Sequence, residues 1–166
     1  MSVDSAFTPR PINPSGLWAD DLFAGMEFRS STCTVTEAAI VAFAESFDPQ
    51  LYHLDAAAAR GTFFDGLVAS GWHTAAITMR LLVTSGVPLA TGIVGAAIDL
   101  SWPSAARAGD VLHVEGRVDE IAFSRSRPSR ATVVLSYKTE NQAGEVRQNT
   151  QARVVAFRRP QSPDGR

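Results

Sequence analysis

Asp48 stands five residues before His53 in the run FDPQLYHLD, and Ser70-Gly71 opens a long apolar segment shortly after. A carboxylate and an imidazole can divide two proton transfers between them, one as base and one as acid. Residue type alone leaves open which does which, and two such groups in contact titrate as a pair. Gly71 adds a third element. The first amides of a helix have no partner within the helix, and the dipole there is positive, so an oxyanion is welcome. Glycine also lets a carbonyl approach the backbone closely. The chemistry implied is general acid–base catalysis beside a stabilised oxyanion, and it requires no metal or organic cofactor.

The elements that must hold these groups are legible around them. Thr36 is a good N-cap, and Thr36, Ile40, Phe43 and Phe47 fall on one stripe, which predicts an amphipathic helix over 37–47. Asp48-Pro49 ends it, because the residue before proline disfavours the helical region. The helix C-terminus beside Asp48 and partial burial are both expected to raise its pKa. His53 is expected in a loop, with Asp55 capping a short helix at 56–60. Residues 71–85 read as a helix apolar on nearly every side, hence buried, with Gly86 and Pro88 stopping it.

One strand is expected at Met26–Val35. After the long helix the period changes to two, predicting four strands: Ile98, Leu100 and Trp102 alternate with polar residues, as do Leu112, Val114 and Val118, then Val133, Leu135 and Tyr137, with a last strand at Arg147–Phe157. Turns fall at Ala108-Gly109-Asp110, Ser126-Arg127-Pro128 and Asn141–Gly144. Strands gathered after helices imply an α+β domain. One curved antiparallel sheet would wrap the buried helix, and a second copy of the chain could shield its open side. The expected domain is 17–158, flanked by an irregular arm at 1–16 and a disordered tail at 159–166.

The chain has 166 residues, a formal net charge of -2 and one cysteine, Cys33. That balance gives no electrostatic reason to expect nucleic acid. It rules out an intrachain disulfide and a cysteine-based zinc site. The first residues lack the apolar core of a signal peptide, and the longest apolar run is too short and polar to span a bilayer. A cytoplasmic protein without membrane contact is the expectation. No histidine pair has zinc-type spacing and no carboxylate cluster joins them, which argues against a metal site. His113 falls on the polar side of a strand and reads as solvated, while His73 reads as a capping or pocket-lining residue. Phe63, Phe64, Trp72 and Trp102 read first as core. Arg125, Arg127 and Arg130 surround a turn and are either a solvated tip or a phosphate-docking point.

FDPQLYHLD followed by ASGWHT resembles the MaoC-like dehydratases, whose best-known members are the (R)-specific enoyl-CoA hydratases of the hotdog fold. LSWPSAARAGD, SRSRP and NQAGEV extend the resemblance over roughly residues 18–157. It implies a hotdog homodimer that hydrates a trans-2-enoyl-CoA, with Asp48 and His53 catalytic and the Gly71 amide facing the thioester oxygen. Ser70, Trp72, Arg125 and Arg127 are the expected substrate contacts. Three departures are visible. Pro49 follows the acid directly, where such hydratases commonly carry Asn-Pro between acid and His; Ser70-Gly71 replaces a frequent His-Gly; and Met79, with Thr78 beside it, stands near the place of a helix Ser that assists the acid in some members. A thioesterase of the same fold and a non-catalytic acyl-CoA binding module remain alternatives, since function lives in the site.

Overall fold

The computed structural model describes residues 9–160. Strands β1 (Glu27–Arg29) and β2 (Cys33–Thr34) are followed by helices α1 (Glu37–Phe47), α2 (Leu51–Leu54) and α3 (Gly71–Leu81), the last extended by a π turn at Leu82–Gly86. Then come β3 (Val94–Ser101), β4 (Val111–Phe123), β5 (Arg130–Glu140) and β6 (Val146–Phe157). The sheet order is β1-β4-β5-β6-β3, with β2 also paired to β4, and every pairing is antiparallel. One curved sheet around one helix is the hotdog arrangement.

Alternation explains the core. β4 buries Leu112, Val114 and Val118, β5 buries Val133, Leu135 and Tyr137, and β6 buries Ala152, Val154 and Ala156. From α3 come Ile77, Leu81 and, in the π turn, Leu82. Those side chains supply the apolar burial that holds the layers together.

Four details differ from the sequence reading. The expected strand at 26–35 is two short ones, interrupted where the Ser30 hydroxyl leaves the strand pattern to bond Ser31 O and accept from Val114 N. In α1 the Thr36 cap is present, its side chain accepting from Ala39 N, but Ile40 and Ala44 are the buried residues and Phe47 is exposed. His53 sits on the one-turn helix α2 rather than in a loop. Residues 56–60 form turns, with Asp55 still accepting from the Ala57 and Ala58 amides.

α3 is buried on one side only. His73, Thr74, Ile77, Thr78 and Leu81 face inward, while Trp72 is 61% exposed and Met79 and Val83 are also open to solvent. β3 lies at the edge of the sheet and exposes Val94 and Ile98. Of the flanking segments, residues 1–8 and 161–166 lie outside the described residues. Ile12 and Asn13 bond to Ala90 O, and Arg159 is held by Asp20 and Asp21.

Candidate active site

Asp48 is the C-cap of α1, and its backbone N–H closes on Ala44 O. The turn through Pro49 and Gln50 leads into α2, which carries His53. Both residues therefore hang from helix ends a few residues apart. His53 is 4% exposed. Its Nδ1 lies 2.7 Å from Val68 O. A carbonyl only accepts, so Nδ1 carries a proton, and Nε2 is left to face Asp48. The separation of His53 Nε2 from Asp48 Oδ2 is 3.4 Å.

Ser70 completes the group. It is 1% exposed and N-caps α3, accepting from Trp72 N at 3.2 Å. Its hydroxyl donates to Asp48 Oδ2 at 2.6 Å. Asp48 Oδ1 accepts from Gln50 Nε2 at 2.7 Å, and Tyr52 Oη donates in turn to Gln50. Ser70 was expected to touch substrate; here it touches the acid.

These bonds overturn the expected direction of the Asp48 pKa. The Ser70 hydroxyl bonds the carboxylate form and holds the group below the usual carboxylate range. Burial pushes the other way but loses, and the Gln50 amide and the His53 ring add to the lowering.

Gly71 follows as the first residue of α3. Its amide makes no hydrogen bond among the described residues. A side chain there would not fit, because a Cβ would lie 2.8 Å from the Trp102 ring. Trp102 is fixed by its Nε1–H donating to Gln148 Oε1 at 3.0 Å, and Trp72 packs edge-on against it. Trp72 and Trp102 thus form an aromatic wall at the helix N-terminus, not core, and Phe63 at 93% exposed is not core either. His73 is buried, stacked on Phe43 at 4.7 Å, and burial lowers its pKa, keeping it neutral.

Arg125 and Arg127 lie exposed in the β4–β5 turn, whose backbone is tied by Ser124. That turn is at the Phe123–Ala131 end of the hairpin. Thr139, which contacts α3 through Thr78 at 2.7 Å, is near the other end. At about 3.3 Å per residue the two ends are roughly 25–30 Å apart. Within one protomer the structure gathers Asp48, His53, Ser70 and Gly71, and leaves these arginines remote.

The strings LSWPSAARAGD and NQAGEV, which sequence reasoning noted without assigning a role, close on each other. Arg147 grips Asp110 through Nε at 2.8 Å and Nη2 at 3.2 Å, and Asn141 donates to the same carboxylate at 3.0 Å. Arg147 also donates to Ser104 Oγ at 2.8 Å. The turn so fixed offers Ala106 O to Ala69 N at 2.8 Å, which places the residue just before Ser70. The signal available was a buried-type Asp beside Gly109 with an Arg in the next hairpin.

Comparison with known proteins agrees with this architecture. The MaoC-like domain family matches over residues 23–143. The crystal structure of a MaoC-like dehydratase from Rhodospirillum rubrum is 59% identical, covering 88% of this chain and 100% of that one, with a TM-score of 0.85. An (R)-hydratase from A. caviae involved in PHA biosynthesis is 27% identical over 82% of this chain and 97% of its own, with a TM-score of 0.63. The uncharacterized protein YdeM of Bacillus subtilis is 36% identical over 67 residues, which is 40% of this chain and 48% of that protein, so the match spans about half of that curated relative. The chain is a hotdog-fold member of the MaoC-like dehydratase family.

Proposed function

We propose that this protein hydrates, or in reverse dehydrates, a trans-2-enoyl-CoA thioester, with Asp48 and His53 as the acid–base pair. The observation that carries the reading is the 3.4 Å approach of His53 Nε2 to an Asp48 carboxylate tied to the N-terminus of α3. An enoyl thioester takes hydroxide at C3 and a proton at C2 while negative charge develops on the thioester oxygen. Asp48, held anionic by Ser70, accepts the proton of the attacking water. His53, entering this step as imidazolium with its Nδ1–H bonded to Val68 O, delivers its Nε2 proton to C2. The proton on Asp48 then returns to Nε2 and resets the pair. The Gly71 amide holds the thioester oxygen, a role whose loss typically costs about 10²–10³ in rate.

An apolar cavity of about 360 Å³ lies between α3 and β3, lined by Met79, Leu82, Ile98, Leu135 and Ala152 among others. Met79 is eight residues along α3 from Gly71, or about 12 Å at 1.5 Å per residue. An acyl chain whose thioester rests at Gly71 would run along the helix into that space. The unpaired edge of β3 and the exposed Trp72, Met79, Val83 and Ile98 fit a homodimer built across this side. Among the described residues no helix is long and apolar enough to cross a membrane; a cytoplasmic site of action accords with the acyl-CoA substrate.

The test is turnover of a panel of short, long and branched enoyl-CoAs, followed by loss of the enoyl absorbance, beside thiol release from saturated acyl-CoAs. Hydration without thiol release supports the assignment. Thiol release alone indicates a thioesterase. Tight acyl-CoA binding with neither reaction, unchanged by loss of both Asp48 and His53, indicates a binding module.

A further inference from the structure

His113 was expected to be solvated, but its side chain is only 9% exposed, and Nε2 is buried without a hydrogen bond. Buried imidazole nitrogens ordinarily find a partner. The register places His113 opposite Glu140 and Glu115 opposite Lys138, all on the sheet face away from Leu112 and Val114. Nε2 lies 3.9 Å from Oε2 of Glu115 and 3.9 Å from Oε2 of Glu140. One donor atom from each of the three residues falls within 4.8 Å of the others. At 3.9 Å both carboxylate oxygens are too far from Nε2 for a hydrogen bond, a spacing that an ion seated between the three atoms would close.

We propose that His113, Glu115 and Glu140 form a site for one divalent transition-metal ion, of which Zn²⁺ fits the mixed nitrogen and oxygen donors. Three protein ligands leave a fourth position for water. Closing donors 3.9 Å apart onto an ion at about 2.0–2.2 Å needs only a small inward movement. The carboxylates already have cations on their outer side. Lys138 Nζ is 3.1 Å from Glu115 Oε1 and 2.8 Å from Glu140 Oε1, and Arg29 Nη1 is 3.3 Å from Glu115 Oε2. Lys138 and Arg29 are 42% and 65% exposed, on long side chains that can turn to solvent. His113 and Glu140 are the fixed members. Lys138 largely uses the other oxygens, so the ion and the ammonium compete by charge more than by place. The ion would staple β4 to β5 on the face opposite the acid–base pair, and hydration is expected to proceed without it.

Calorimetric titration of the chelator-treated full chain with Zn²⁺ tests this. One equivalent should bind, and the melting temperature should rise with zinc concentration. His113→Gln should weaken binding by about 100-fold or more, beyond what loss of a merely supporting partner costs. Lys138→Met should tighten it by removing the competing charge, which keeps the test alive if His113→Gln folds poorly. Cobalt(II) should give a visible spectrum that depends on His113. No binding by the wild-type chain at millimolar zinc overturns the proposal, and so does binding undiminished in folded His113→Gln. Stability that responds to pH through His113 but never to zinc also overturns it, because the carboxylates then hold a protonated imidazole instead.

Discussion

One hydroxyl joins the two halves of the site: Ser70 Oγ donates to Asp48 Oδ2 at 2.6 Å while accepting from the Trp72 amide at the start of α3. The acid from α1 is thereby locked to the helix end that carries Gly71. Its geometry and its charge state depend on the same bond.

Ser70→Ala removes a hydrogen bond to a charged group, about 1.5–3 kcal/mol. Ser70 also fixes where the carboxylate stands, so above the acid limb the rate should fall by up to about 100-fold through lost positioning. Asp48 loses its main anion-stabilising partner, so its pKa rises and the acid limb of the pH–rate profile moves to higher pH. Ser70→Thr should restore the limb. A pH profile of kcat/KM for the three proteins checks this.

Gly71→Ala brings a methyl group into the Trp102 ring, where a Cβ would lie 2.8 Å away. Stability and activity should both drop. Adding Trp102→Leu makes room, so the melting temperature should recover in the double variant. Comparing melting and turnover in single and double variants separates the packing role of this glycine from any role at the thioester.

Asp110 and Arg147 are both buried, and breaking such a pair from one side costs about 3–5 kcal/mol. Arg147→Met should therefore lower the melting temperature sharply. Burial raises the Asp110 pKa, but hydrogen bonds from Arg147, the Arg107 amide and Asn141 outweigh it, so the folded-state value lies below the unfolded one. The stabilisation is full above the unfolded value, near 3.9, and is lost as pH falls through the folded one. Denaturant titrations from neutral to acidic pH should show that slope in the wild type and lose it in Asp110→Asn.

Ile98→Lys on the exposed edge strand β3 should turn a dimer into monomers. Light scattering of both proteins reads this directly. A wild-type monomer removes the proposed shielding of α3.

The legible part of the sequence was local. Thr36 and Asp48 marked the ends of α1, alternation marked β3 to β6, and spacing brought out Asp48, His53 and Gly71. Long-range partners were not legible. Ser70 is 22 residues from Asp48, and nothing in either neighbourhood shows that one hydroxyl sets the other's charge. The same holds for Asp110 with Arg147 and for Glu140 beside His113, which strand register alone creates. The apolar α3 read as buried all round because composition does not show which face of a helix the chain itself covers. Trp72 and Trp102 read as core because large aromatic side chains usually are.

Steady-state hydration of a turned-over enoyl-CoA by wild type, Asp48→Asn and His53→Gln, with folding checked by circular dichroism, bears most directly on the acid–base assignment. Each variant should lose about 10²–10⁴-fold in kcat, and the double variant little more than the worse single one. Near-wild-type turnover by folded Asp48→Asn or His53→Gln would contradict the assignment.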